Sequence, residues 1–128
     1  MSITKQVISS ARVPTIGPYS QAVRAGDLIF TAGQPGIDPL TGAVAGDTFE
    51  AQARQAIANP SAVLEDSGAS LSNVVKVTCF VADPSAFGTL NDLFREFFPT
   101  APPVRSTPVV ALPRELLFSI EAVAVATR

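Results

Sequence analysis

The chain has no histidine and no tryptophan, and only one cysteine, one tyrosine and one methionine among its 128 residues. Without histidine there is no Ser-His-Asp or Cys-His pair, no HExxH zinc site and no imidazole general base. The single thiol, Cys79, makes an internal disulfide impossible and leaves too few soft ligands for a zinc site. Its setting in "VVKVTCFVA" fits a small buried hydrophobe better than a reactive thiol. Any chemistry must rest on carboxylates, hydroxyls, Arg, Lys, backbone amides or water.

Charge is scarce as well. Nine Lys and Arg face eleven Asp and Glu, a net charge of -2, and no window gathers a basic cluster. The electrostatic footprint of a nucleic-acid binder is therefore missing. No apolar run approaches the roughly 18 to 20 residues of a membrane span. The opening "MSITKQVISSARVP" has no apolar signal core and resembles a transit peptide only weakly. The expectation is a soluble cytoplasmic protein with neither nucleic acid nor membrane as partner. A 47% hydrophobic composition over this length predicts that residues 1–128 form one domain.

The pattern along the chain supplies the elements. "TKQVIS" reads as a short strand, and "YSQAVRAGDLIFTAGQ" as a hairpin turning at Ala25-Gly26-Asp27. "DPLTG" is a loop, with Pro39 preset for the turn and Gly42 free to take a left-handed conformation. A helix begins at Asp47 or Thr48 as N-cap and stops at Gly68. Pro60 within it predicts a kink or a break at Asn59-Pro60, where Asn59 can act as a new N-cap. "NVVKVTCFVA" is apolar on both faces, as in a central strand covered on both sides. Asp83-Pro84 opens a second helix with the stripe Phe87, Leu90, Phe94 and Phe97. Two strands close the chain, "VRSTPVV" and "LLFSIEAVAVA"; Pro108 confines the first to an edge, a bulge or a strand end. This order predicts an α+β fold, a mixed sheet with parallel pairing across the crossovers and both helices on one face. The other face then needs a cover, which points to oligomerisation.

Several residues have chemistry to offer. Arg105 follows Pro102-Pro103 directly, so its planar fork is aimed by a stiff approach and suits a carboxylate; the alternative is an exposed or salt-bridged arginine. Tyr19, beside a Gly-Pro turn, either presents its hydroxyl to a ligand or caps the core. Ser119 and Glu121 share one face of the last strand with Leu117, Val123 and Val125. A carboxylate there needs a Lys, an Arg or a neighbouring subunit as partner. Asn91, beside the second helix's apolar stripe, needs hydrogen bonds if buried.

Taken together and in order, "IGPYSQAV", "GDLIFTAGQ", "DPLTG", "AQARQAI", "NVVKVTCFVAD", "FGTLNDLF", "PPVRST" and "IEAVAV" resemble the reactive intermediate deaminase family, RidA, formerly the YjgF-type or endoribonuclease L-PSP proteins. The resemblance spans nearly the whole chain. It implies a chorismate-mutase-like α+β fold and a homotrimer with clefts between subunits. It further implies no metal or organic cofactor, and hydrolysis of 2-imino or 2-enamino acids to 2-keto acids and ammonia. By motif, Arg105 falls on the family's carboxylate-binding arginine, Tyr19 and Asn91 on its pocket tyrosine and asparagine, and Gly33 on the glycine of its "SGQ" turn. Three positions depart. Ala32 replaces that turn's serine, Thr107 stands where a cysteine is frequent, and Ser119 replaces the first glutamate of "EIEA", thought to place the water; Glu121 keeps the second. Thr107, Ser119 and Glu121 become the candidates for ordering water. Two other readings remain open: a non-catalytic carboxylate-binding or holdase-like protein, and a ribonuclease, for which an acidic chain without histidine offers little.

Overall fold

The computed structural model describes residues 4–126. Seven strands, β1 (Lys5–Ile8), β2 (Ala22–Ala25), β3 (Leu28–Thr31), β4 (Gln34–Pro35), β5 (Val74–Val81), β6 (Val104–Ser106) and β7 (Phe118–Val125), form one sheet. Its order is β1-β2-β3-β7-β5-β6, with β4 also on β7. Among these strands β5 and β6 pair in parallel, a pairing that a Val81–Val109 bridge continues, and the other strand pairs are antiparallel. The helices α1 (Phe49–Asp66) and α2 (Phe87–Phe97) supply the two crossovers and pack on one face, giving the expected mixed α+β sheet.

Local chemistry sets most boundaries. Gly26, at φ 61°, closes the β2–β3 hairpin, and Gly42, at φ 74°, closes the Asp38–Gly42 turn, where Asp38 Oδ1 accepts from Leu40 N. The hydroxyl of Thr48 accepts from Ala51 N at the start of α1. Asp83 caps a short 3-10 turn, Pro84–Ala86, that runs into α2. Pro108 lies just beyond β6, an edge strand, as its missing donor requires.

Two expectations are corrected. Helix α1 is not broken at Pro60 but runs unbroken through it to Asp66. Pro60 sits on the buried face with Ala53, Ala56, Ile57, Val63 and Leu64, and packing of that face outweighs one lost backbone bond. Asn59 is no N-cap; its amide Nδ2 donates to the carbonyls of Ile37 (3.0 Å) and Pro35 (3.4 Å), tying the helix to the segment after β4. Strand β5 is not covered on both faces either. Val77, Cys79 and Val81 are buried beneath the helices, whereas Val75, Lys76, Thr78 and Phe80 stay partly or well exposed. The far face of the sheet is open in the single chain, and Leu28, Phe30 and Val125 lie on it about two-fifths exposed, between 39% and 44%.

The first strand's exit is fastened by charge. Asp66 accepts from Ser10 Oγ at 2.5 Å and from Arg12, whose Nη2 also reaches Glu65. The Ser10 hydroxyl foremost, then Arg12, holds the Asp66 carboxyl below its ordinary 3.8. A carboxyl depressed on folding stabilises the native state above its unfolded pKa and loses that contribution as pH falls through the folded value. Thermal melts should therefore show wild type above Asp66→Asn near neutral pH, the gap closing below about pH 4. A gap that persists undiminished at pH 2 contradicts this account.

Candidate functional site

Arg105 is the second of three residues in the edge strand β6, in register with Val77, so its side chain lies on the helix-covered face. The approach is stiff, as the diproline requires. Ala101, immediately before it, takes φ 48°, a left-handed conformation that costs a non-glycine residue about 1 kcal/mol. Arg105 Nη2 donates to Asn91 Oδ1 at 2.7 Å, and the guanidinium carbon lies 4.8 Å from the centroid of the Phe94 ring; both partners belong to α2.

No carboxylate of the described residues pairs with Arg105. By contrast Arg12, Arg24, Arg54 and Arg95 each have one within 4.0 Å. Phe94, Phe98, Pro102, Pro103 and Arg95 wall an open cleft beside it. A half-buried guanidinium held by a neutral amide and a ring keeps its charge and most of its donors for an outside anion. Thr107, just past the end of β6, is half-buried, and its hydroxyl has no hydrogen-bond partner among the described residues. Arg105 and Asn91 are thus joined directly, and Thr107 lies two residues along the chain from Arg105.

The other candidates lie elsewhere. Ser119 opens the exposed face of β7, in register with Pro35 of β4 and Phe80 of β5. A methyl group built on Gly33 would come within 3.5 Å of Ser119 Oγ, so these two are neighbours. Ala32, whose N–H donates to Gln21 O, leads into that turn. Tyr19 is 45% exposed, not a core cap; its ring lies over Gly17 and borders a hollow shared with Gln34 and Pro35. Tyr19, Ala32, Gly33 and Ser119 therefore gather around β4. Two strand spacings of about 4.8 Å and three residues of about 3.3 Å separate Ser119 from Arg105, roughly 14 Å, and their side chains are on opposite faces of the sheet. One chain does not bring the two groups into one pocket.

Glu121 stands on the open face opposite Thr78, exposed, with no hydrogen bond or ion pair among the described residues. The partner that a carboxylate on this face calls for is not among the described residues. Lys76, on the same face, donates to Ser106 Oγ at 2.9 Å. Cys79 is buried, and burial pushes its thiol up to about 12, against the lowering effect of Arg105 and Lys76, so it is inert as a nucleophile at neutral pH. Sequence periodicity assigned Phe94 to the core stripe; the packing of α2 against β6 brings its ring beneath Arg105. Among the described residues no group of acidic or Cys side chains is arranged to hold a metal ion, and no helix is long and apolar enough to cross a membrane.

The family model for endoribonuclease L-PSP matches residues 9–126. The 2-iminobutanoate/2-iminopropanoate deaminase of Mus musculus is 40% identical over 126 residues, covering 97% of this chain and 93% of its own. A Rid-family protein of Yersinia pestis, of unknown function, is 36% identical and superposes with a TM-score of 0.92 over 96% of this chain and 100% of its own. Escherichia coli TdcF, crystallised with bound serine, is 35% identical with a TM-score of 0.88 over 95% and 99%. Sequence and fold agree along almost the whole described chain, and the protein belongs to the reactive intermediate deaminase (RidA, YjgF) family that the endoribonuclease L-PSP model describes.

Proposed function

We propose that the protein hydrolyses reactive 2-imino and 2-enamino acids to 2-keto acids and ammonia, with Arg105 holding the substrate carboxylate. The observation that carries this is the unpaired, half-buried Arg105 fork, braced by Asn91 and open to a cleft. The mouse relative's deaminase activity, on substrates that are small 2-imino acids, supports the same chemistry here.

The reaction asks little of the protein. A 2-enamino acid first takes a proton at its β-carbon to become the protonated imine; water adds to the imine carbon, a proton passes from the added oxygen to nitrogen, and the C–N bond breaks as the remaining hydroxyl proton leaves to solvent and C=O forms. Ammonia leaves and the 2-keto acid remains. The reacting carbon is bonded directly to the carboxylate carbon, so a carboxylate on Arg105 places that carbon beside the guanidinium, and the water must sit within roughly 3.5 Å of it. A general base held there is worth about 10² to 10⁴-fold. Thr107 lies on the same side as Arg105. Ser119 and Glu121 do not, and each acts on this water only from a second copy of the chain.

The family resemblance makes the functional unit a homotrimer, with each cleft formed by Arg105, Asn91 and Thr107 of one copy and the β4 group, Tyr19, Ala32, Gly33 and Ser119, of the next. The open apolar sheet face, with Leu28, Phe30 and Val125, supports such an assembly. Light scattering is expected to return three times the monomer mass; a monomer at micromolar concentration removes the composite cleft.

The direct test generates 2-iminopropanoate or 2-iminobutanoate in place with a dehydratase and follows trapping of the free imine. The protein should speed imine loss over buffer; no acceleration sinks the deaminase reading. The second reading, a carboxylate binder without catalysis, draws on one observation: Ser119 puts a hydroxyl where a water-activating carboxylate is expected. Tight binding of a 2-keto acid without imine hydrolysis would decide for it.

A further inference from the structure

Among the described residues two arginines lie over aromatic rings, and they differ in what else holds them. Arg54 lies 5.8 Å from the Phe97 centroid, but Glu96 grips it through two bonds of 2.6 and 3.0 Å, so the ring adds little. At Arg105 the ring is nearer, 4.8 Å, and no carboxylate is present among the described residues. A carboxylate would fix the guanidinium by consuming its donors. An aromatic face fixes the plane and consumes none.

Phe94 suits that task. It is only 8% exposed, on the buried face of α2, and its ring is itself wedged against Phe98 at 4.9 Å. Asn91, one turn earlier on the same helix, takes one hydrogen of Nη2. The ring and the amide together restrict the guanidinium, and four of its five N–H donors make no hydrogen bond among the described residues.

We propose that Phe94 is a positioning residue for the reaction: its ring holds the Arg105 guanidinium plane so that the free edge of the fork meets the substrate carboxylate already oriented. This rests on the deaminase reading of the site. The ring touches no reacting atom; it lowers the ordering cost of binding by restricting the long arginine side chain beforehand. The same geometry makes lysine a poor substitute at 105, since an ammonium has no plane to stack.

The test measures binding of 2-oxopropanoate, a product of the proposed reaction, by calorimetry, beside imine hydrolysis. Phe94→Leu keeps an apolar side chain and removes the ring face; Phe94→Tyr keeps the face; Phe97→Leu makes a comparable loss on the same helix away from Arg105. Phe94→Leu is expected to bind about fivefold more weakly and to raise KM by the same factor with kcat unmoved. Phe94→Tyr and Phe97→Leu should keep wild-type affinity. If Phe94→Leu does not fold, Phe94→Met makes the same comparison. Wild-type affinity in the ring-less variant overturns the positioning role while leaving the deaminase reading intact. A wild type that neither binds 2-oxopropanoate nor hydrolyses imine overturns both.

Discussion

Arg105→Ala is expected to lower kcat/KM for 2-iminopropanoate by on the order of 10³-fold while the protein stays folded. The size follows from what is lost. A carboxylate gripped by a planar fork in a partly desolvated cleft makes two charge-assisted hydrogen bonds, and truncating one partner of such a pair costs about 2 to 5 kcal/mol. The fold loses little, because Arg105 has no internal counter-ion to strand, and Asn91 Oδ1, half-exposed, can turn to water. The unfolding temperature should move by no more than about 3 °C, so a collapse in activity cannot be ascribed to unfolding. Arg105→Lys separates charge from shape: it keeps the cation, gives up the fork and the stack on Phe94, and should recover only part of the loss. Imine trapping reads the activity and 2-oxopropanoate calorimetry reads the clamp. Arg105→Ala retaining wild-type kcat/KM would leave the carboxylate clamp without support.

The distance between Arg105 and Ser119 changes what that experiment means. In a single chain the arginine approaches its ligand from the helix-covered face of an edge strand, and the serine looks out from the opposite face two strands away. A small 2-imino acid cannot bridge roughly 14 Å of sheet. Loss of activity on dilution or on disruption of the open face would therefore be a loss of assembled clefts, with every Arg105–Asn91 contact still in place. Binding of 2-oxopropanoate, which needs mainly the arginine half, should survive such disruption better than turnover does.

Much of the fold was legible because it is set by local chemistry. Gly26, Gly42, Thr48, Asp83-Pro84 and Pro108 each act within a few residues of themselves, and each falls where its backbone demands predict. Pro60 was misread for the complementary reason. Its local penalty is real, but the buried face of an 18-residue helix and the Asn59 bonds to Pro35 and Ile37 are tertiary. The site was legible in its residues and not in its grouping. Ser119 and Glu121 were placed on one face by the period of a strand, whereas the relation of that face to Arg105 depends on which strand lies between them. Gln52, buried and polar in the first turn of a helical run, gave no hint that it accepts from Leu117 N at 2.7 Å and donates to Gly46 O at 3.0 Å.

The same non-local logic makes Gly36→Ala a strongly destabilising substitution. A methyl group at Gly36 would meet the backbone of α1, 2.3 Å from Gln52 O, 2.6 Å from its Cα and 2.7 Å from its carbonyl carbon, where ordinary contacts are about 3.5 Å or more. No side chain can swing aside to relieve this, so β4 must retreat from the helix by about 1 Å. That retreat strains the Asn59 bonds to Pro35 and Ile37 and the pairing of β4 with Ile120 and Ser119 on β7. Overpacking against backbone costs about 3 kcal/mol or more, which for a chain of this length lowers the unfolding temperature by about 10 °C or more. Gly88→Ala is the control. Nothing lies within 4 Å of a methyl group there, the position is inside α2, and the change should be neutral or stabilising by up to about 1 kcal/mol. Because Gly33 directly precedes β4 and β4 pairs with Ser119, Gly36→Ala should also lower turnover well below its melting temperature, with 2-oxopropanoate binding at Arg105 much less affected. Melts that coincide with wild type would show that α1 and β4 are not in the contact that sets the second half of the cleft.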